Sequence, residues 1–492
     1  MKAQSVFKTI LSVACLSGLT VALPYPPGVG IVSLPLKPVA RARSLPAHIA
    51  HQQHVNHAKR RLATLTGREG PSDDELRANL YKRMALLDEP QLTKRFNRHG
   101  ATRPKPVSGA TANSFASSKD DEDDESSSSS STGFGNITPI ELEALSRGGV
   151  AAAEEPQDRN SLGLDIIAND VGYFSTIQIG TPPRDFRILM DSGSADLWVG
   201  SEECVSTNGG TCGNHVFLGR ESSSTHLESG RPFSITYGTG AVSGTVVKDN
   251  IRFAGFELTN HTFGVARNET EEFSDNSTVF DGLMGLAQSR LSNQRTLTPV
   301  EALAQTGQIR EAIISYKISR LADEKNDGTI TFGGLDASKF SANTLVTVPN
   351  LSRIGFWEAA MDKITLDGQE LDFAGRTAIL DTGTTLIIAP PADARSLHQA
   401  IPGARQFDQD SFTVPCNTTA KIGLTFGGRE FTIDPRDLVF APLNSASGDC
   451  LSGISAGTIG GDNQWLVGDT FLKSAYFSTN VNKNEMSLAA LT

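Results

Sequence analysis

This 492-residue chain has only three tryptophans and five cysteines, and no apolar run beyond residue 25 is long enough to cross a bilayer. Beyond residue 25 no helical membrane span is expected, nor a membrane partner; a short anchor in the N-terminal apolar run is the weaker alternative there, since that run is short and small residues lie near its end. Three tryptophans are few for a carbohydrate site, which weighs against a two-carboxylate glycosidase. No Cys-x-x-Cys and no histidine cluster stands beside the cysteines, so zinc lacks a ready ligand set; neither metal nor cofactor is expected. The tail Met486–Thr492 is too short an apolar stretch to signal a lipid anchor.

The N-terminus has a different character. Lys2 and Lys8 precede the apolar run Thr9–Ala22, so residues 1–22 have the shape of a secretory signal peptide. Secretion is the expectation, with vacuolar delivery also compatible. Cys15 would leave with that peptide. Cys204, Cys212, Cys416 and Cys450 remain and allow three pairings; Cys204–Cys212 with Cys416–Cys450 is the simplest in an oxidising compartment. Sequons occur at Asn136, Asn260, Asn268, Asn276, Asn350 and Asn417.

Charge divides the chain into three regimes. Residues 37–106 hold 15 Lys/Arg against 6 Asp/Glu. The acidic and serine-rich stretch Ser117–Ser131 cannot bury apolar surface and reads as a disordered linker. From Ser161 onward the formal charge is −14. A basic tract can bind nucleic acid, but the simpler expectation is a prosegment (23–160) lying on an acidic body. Asp74–Leu87 could form its helix, with Leu and Met on one face. Lys59-Arg60-Arg61, Lys82-Arg83 and Lys94-Arg95 are candidate dibasic processing sites.

The body reads as mostly strand. Tyr173–Ile179 mixes alternation with β-branched residues and stops at the turn signal Gly180-Thr-Pro-Pro183. Helices are expected only at Thr298–Ala304 and Ala392–Ala400. The body also repeats itself once. Phe186-Arg-Ile-Leu-Met-Asp191-Ser192-Gly193-Ser194 finds an echo in Thr377-Ala-Ile-Leu-Asp381-Thr382-Gly383-Thr384. An apolar pair followed by glycine comes 94 residues after Asp191, at Gly285, and 87 after Asp381, at Gly468. Two such lobes, 161–348 and 349–492, would bring the two aspartates together. Gly193 and Gly383 permit the sharp turn, and the hydroxyls of Ser192, Ser194, Thr382 and Thr384 can donate to the carboxylates. Two close carboxylates share one proton, so one can accept from a water while the other donates.

With these motifs in view, residues from about 165 to the C-terminus resemble the pepsin family of aspartic peptidases. The resemblance rests on Tyr173–Pro183, Asp191-Ser-Gly-Ser-Ala-Asp-Leu-Trp-Val199 and Ser234-Ile-Thr-Tyr-Gly-Thr-Gly240. It implies a bilobal all-β fold, catalytic Asp191 and Asp381, and a flap carrying Tyr237, Gly238 and Thr239. It further implies Trp198 as hydrogen-bond partner of the flap tyrosine, and Leu283 and Phe273 in the pocket before the scissile bond. Thr239 stands where some fungal members carry a lysine-accepting Asp, which favours apolar or aromatic substrate residues. The implied partners are protein or peptide substrates and the chain's own prosegment, on a monomeric enzyme. Family zymogens set a basic residue against the aspartates, for which Lys82, Arg83, Lys94 and Arg95 are candidates. Ser192 replaces the commoner Thr, and Tyr476–Asn480 departs from the family's C-terminal pattern. A catalytically dead binding protein on this fold is the rival; loss of either Asp or of Tyr237 would favour it, and all three are present.

Overall fold

Tyr173–Ile179 and Arg184–Asp191 form the first hairpin of the body, and their register shows how alternation becomes structure. Ile177 lies opposite Phe186 and Ser175 opposite Ile188, which puts Ile177, Phe186 and Ile188 on the core face, while the pair Phe174 and Leu189 projects from the other face. Gly180 turns the chain at φ +89°, a conformation that residues with a Cβ rarely adopt. The computed structural model describes residues 32–34, 47–66, 72, 150–151, 153, 165–167, 172–237, 240–275, 278–323, 325–443, 448–457 and 462–492. The leader, the Ser117–Ser131 linker, the helix expected at Asp74–Leu87, Lys82, Arg83, Lys94, Arg95, Gly238, Thr239, Asn136 and Asn276 lie outside the described residues.

The architecture is all-β and bilobal. One lobe is a nine-stranded sheet reaching from Val150–Ala151 to Gly282–Gly285. The other lobe holds one five-stranded and two four-stranded sheets, drawn from Glu358–Met361 through Gln464–Val467. A six-stranded sheet joins them. It takes Ile313–Lys317, Thr329–Phe332 and Val346–Pro349 from the middle of the chain, and Tyr476–Asn480 and Glu485–Ala489 from its end. The strand Val32–Leu34 closes one edge of this sheet, pairing antiparallel with Thr329–Phe332. The departing stretch Tyr476–Asn480 is thus an inner strand, where Tyr476 stacks on Phe340 and its hydroxyl accepts from the Asp336 N–H at 2.8 Å.

Helices are few and locally specified. Pro299–Gln305 starts with a capping box, Thr298 accepting from the Glu301 N–H while the Glu301 carboxylate accepts from Thr298. Pro391–Ala400 buries Ala394 and Leu397 against the second lobe. In the basic segment a helix not anticipated from sequence runs over Ala47–Thr66 (α1). Ile49, His51, Val55 and Ala58 of α1 are fully buried against the second lobe. Among the described residues no helix is long and apolar enough to cross a membrane. Two disulfides, Cys204–Cys212 and Cys416–Cys450, staple one loop in each lobe.

Candidate active site

Each aspartate ends a buried strand, and each strand is held by a return strand carrying the paired glycine. Gly282–Gly285 runs parallel to Arg184–Asp191 and sets Gly285 beside Asp191; Gln464–Val467 runs parallel to Arg376–Leu380 and sets Val467 beside Leu380. Neither glycine could be another residue. A Cβ at Gly285 would fall 2.4 Å from the Ala195 nitrogen, and one at Gly468 would fall 2.0 Å from the Thr384 carbonyl oxygen. The obstacles are backbone atoms of the aspartate loops themselves. The Leu286 N–H then donates to the Asp191 carbonyl (2.7 Å), and the Asp469 N–H to the Thr384 carbonyl (2.8 Å).

The carboxylates are fully buried and cradled alike. The Gly193 N–H donates to Asp191 Oδ1 at 2.9 Å and the Ser194 hydroxyl to Oδ2 at 2.5 Å. The Gly383 N–H donates to Asp381 Oδ1 at 2.9 Å and the Thr384 hydroxyl to Oδ2 at 2.6 Å. Ser192 and Thr382 correct the expectation that all four hydroxyls serve the carboxylates. They cross between lobes. Ser192 Oγ accepts from the Thr382 N–H (2.9 Å) and donates to the Leu380 carbonyl (3.2 Å). Thr382 Oγ1 accepts from the Ser192 N–H (3.0 Å) and donates to the Met190 carbonyl (3.1 Å). Four hydrogen bonds between residues flanking the two aspartates lock the loops against one another. Tyr316, buried beneath them, has its phenol pushed well up by burial and then by the charges of both Asp191 and Asp381.

Over the first lobe, Leu227–Thr236 and Ala241–Phe253 form a hairpin whose tip is closed by the Tyr237 N–H donating to the Gly240 carbonyl at 2.7 Å. Trp198 Nε1 donates to the Tyr237 hydroxyl at 2.8 Å. Phe273 sits edge-on to both rings, and Leu283, opposite Trp198 in register, completes the same apolar cluster. Expected pocket residues are therefore brought together, while the hairpin tip lies outside the described residues. Behind them Glu269 is buried, and burial together with the Asp281 charge raises its carboxyl to about 8. Among the described residues, Glu269, Cys204 and Cys212 hold potential ligand atoms within 4.8 Å of one another, but the sulfurs are joined as a disulfide and offer no thiolate.

Over the second lobe lies α1. His51 Nε2 donates to the Ser452 carbonyl at 3.0 Å, His51 and His54 stand edge-on to Phe440, and His54 Nδ1 is 3.4 Å from Thr385 Oγ1, four residues past Asp381. Lys59 pairs with Asp410. None of these contacts was expected from sequence, where Lys59 was read only as a processing site. The usable signal was the three-residue spacing of His48, His51, His54 and His57 along the basic segment.

A bilobal all-β body with one buried aspartate loop per lobe, the two loops interlocked, defines a recognisable class. The family model of eukaryotic aspartyl proteases matches residues 172–491, and the chain belongs to that family. It is similar to a protein of Arthroderma benhamiae named probable aspartic-type endopeptidase CTSD, at 39% identity over 69% of this chain and 64% of that protein. It is also similar to the aspartic-type endopeptidase ctsD of Aspergillus fumigatus (33% identity; 69% of this chain, 70% of that one) and to dog pepsin A (32%; 68% and 85%). The chain thus spans slightly under two thirds of the length of the Arthroderma relative.

Proposed function

We propose that this protein is a secreted aspartic endopeptidase made as a zymogen, with Asp191 and Asp381 acting on one water held between them. The observation that carries the reading is the pair of identical cradles tied by the Ser192–Thr382 crossing. Such a scaffold holds two carboxylates rigidly at one place, as a shared water requires. The ionised carboxylate takes a proton from the water as its oxygen attacks the peptide carbonyl carbon. The protonated partner donates to the carbonyl oxygen, giving a neutral tetrahedral diol. Return of a proton to the amide nitrogen breaks the C–N bond, releases acid and amine, and restores the dyad. No covalent enzyme intermediate forms. The cluster of Trp198, Tyr237, Phe273 and Leu283 supports a preference for apolar or aromatic residues next to the scissile bond.

Docking of α1 beside Thr385 supports the prosegment as an intramolecular inhibitor of a monomeric enzyme. Two disulfides support passage through an oxidising compartment. On that route Asn260, Asn268 and Asn417 would carry glycans, since all three are exposed. Asn350 would not: it is buried, and its amide donates to the Phe356 carbonyl at 2.7 Å and to Asn484 Oδ1 at 3.1 Å. Peptide mapping after enzymatic deglycosylation checks this, and a glycan on Asn350 would contradict it.

The functional test is cleavage of denatured haemoglobin or casein by acid-treated protein at about pH 3–5, with and without pepstatin. Pepstatin-sensitive cleavage is expected. No cleavage after demonstrated removal of the prosegment would favour a binding protein on the same fold.

A further inference from the structure

The contact between α1 and the second lobe includes a site built for a cationic side chain. Lys59 reaches from α1 to Asp410, and the two side chains are 15% and 16% exposed. The lysine stem lies along Gly457: a Cβ there would stand 3.6 Å from Lys59 Cγ and Cε, and 2.6 Å from Ile388 Cγ2. With no side chain at 457, a shallow groove remains that a chain of methylenes fills. The carboxylate at its end is fixed through the backbone. The Asp410 N–H donates to Asp408 Oδ1 at 2.9 Å, and the Asp410 carbonyl accepts from the Ala456 N–H at 2.7 Å. Ala456 belongs to Ile454–Ala456, which pairs in parallel with Ile387–Ala389, the strand that follows the Asp381 loop. Asp410 is therefore tied by a backbone hydrogen bond to the sheet whose strand Arg376–Leu380 leads into the second aspartate.

We propose that Asp410 and Gly457 form a subsite for a lysine or arginine side chain of the substrate, occupied by Lys59 until α1 leaves. The inference rests on the peptidase reading above. Its first support is what departure of α1 uncovers: the Asp410 carboxylate, neutralised and partly covered by Lys59, is left without its cation at the end of an open groove. The second is position. His54 lies at Thr385, beside the Asp381 loop, and Lys59 follows five residues later, about 7.5 Å along the helix axis. An extended peptide crosses that distance in two or three residues at about 3.3 Å each. The basic residue would thus lie two or three positions from the substrate residue over Thr385, outside the apolar pocket formed by Phe273 and Leu283. The enzyme would read an apolar residue at the scissile bond and a basic residue at one fixed distance from it.

The test uses the full chain after acid activation and a set of peptides with a constant apolar scissile pair. Lys, Gln or Glu is placed in turn at each of three positions on either side. At one position the Lys peptide should exceed the Gln peptide about tenfold in kcat/KM, with Glu lower still. Asp410→Asn should bring the Lys-to-Gln ratio to about one, and Asp410→Lys should favour Glu. The proposal is overturned if no position favours Lys, or if the advantage survives in Asp410→Asn. Failure to cleave any peptide would instead contradict the peptidase reading. Binding of the same uncleaved peptides then decides the subsite: an Asp410-dependent Lys preference supports it, and its absence overturns it.

Discussion

The loops bearing Asp191 and Asp381 receive the same two donors, from the glycine N–H and the last hydroxyl of each motif, yet they are covered by different structures. An aromatic cluster under a β-hairpin stands over the first; a basic helix with two histidines against Phe440 lies beside the second. Where the chemistry must be shared, the lobes match atom for atom. Away from the aspartates they diverge: a hairpin and an aromatic cluster cover the first loop, whereas α1 packs beside the second. Matching points to the machinery, and divergence marks the regions in which the proposed substrate choice and control are to be tested.

The strongest way to break the comparison is at the acids. Asp191→Asn and Asp381→Asn should each lower kcat by about 10³–10⁴ with KM little changed, measured on one peptide substrate. Near-normal turnover in either variant would mean that the other loop does the chemistry alone. Next come the glycines. Gly285→Ala and Gly468→Ala should each cost at least about 4 kcal/mol of stability or abolish folding, since backbone oxygen or nitrogen blocks the new methyl. Denaturant unfolding of the two variants checks whether the lobes are equally intolerant.

Titration separates the lobes more finely. Glu269, in the first lobe, has its carboxyl raised to about 8 by burial and by Asp281, so the folded protein holds a proton there that the unfolded chain releases near 4.5. Its contribution is favourable in acid and is lost as pH rises from about 4.5 to about 8. His398, in the second lobe, is lowered to about 4 by burial, with Nδ1–H donating to the Ala394 carbonyl at 2.7 Å. It stays neutral while the unfolded chain takes up a proton, so stability is lost as pH falls from 6.5 to about 4. His261, in the first lobe and also lowered to about 4, adds to that acid loss. Glu269→Gln should remove about 3 kcal/mol of the decline between pH 5 and 8, and His398→Gln should flatten the decline between pH 6.5 and 4. Unfolding measured across pH tests both; an unchanged slope contradicts the assignment. The smallest effect belongs to the crossing. Ser192→Ala and Thr382→Ala each leave one buried N–H and one carbonyl unpaired, costing about 1–3 kcal/mol, and the double variant should cost less than their sum.

Much of the site was legible because its constraints are local. Asp-hydroxyl-Gly after an apolar strand, and an apolar pair before glycine at a matching interval, are backbone requirements written in residue types. Thr298-Pro-Val-Glu301 announced a capped helix for the same reason. The crossing of Ser192 and Thr382 was not legible, since each hydroxyl finds its partner 190 residues away, in the other lobe. Nor was α1. Its apolar content is only Ile49, Ala50, Val55 and Ala58 among the buried residues, and it is held by Ser452, Phe440 and Asp410, which no local pattern connects to it. The stronger apolar periodicity of the segment lies at Asp74–Leu87, outside the described residues.

The most direct test of a shared water is whether the two aspartates act as one unit. Turnover of one peptide should be measured for Asp191→Asn, Asp381→Asn and the double variant, after confirming that all three fold and bind pepstatin or the prosegment peptide. A double variant no slower than either single variant is the predicted result, because removing one carboxylate already disables the water. Losses that multiply, or substantial activity in either single variant, would contradict the account.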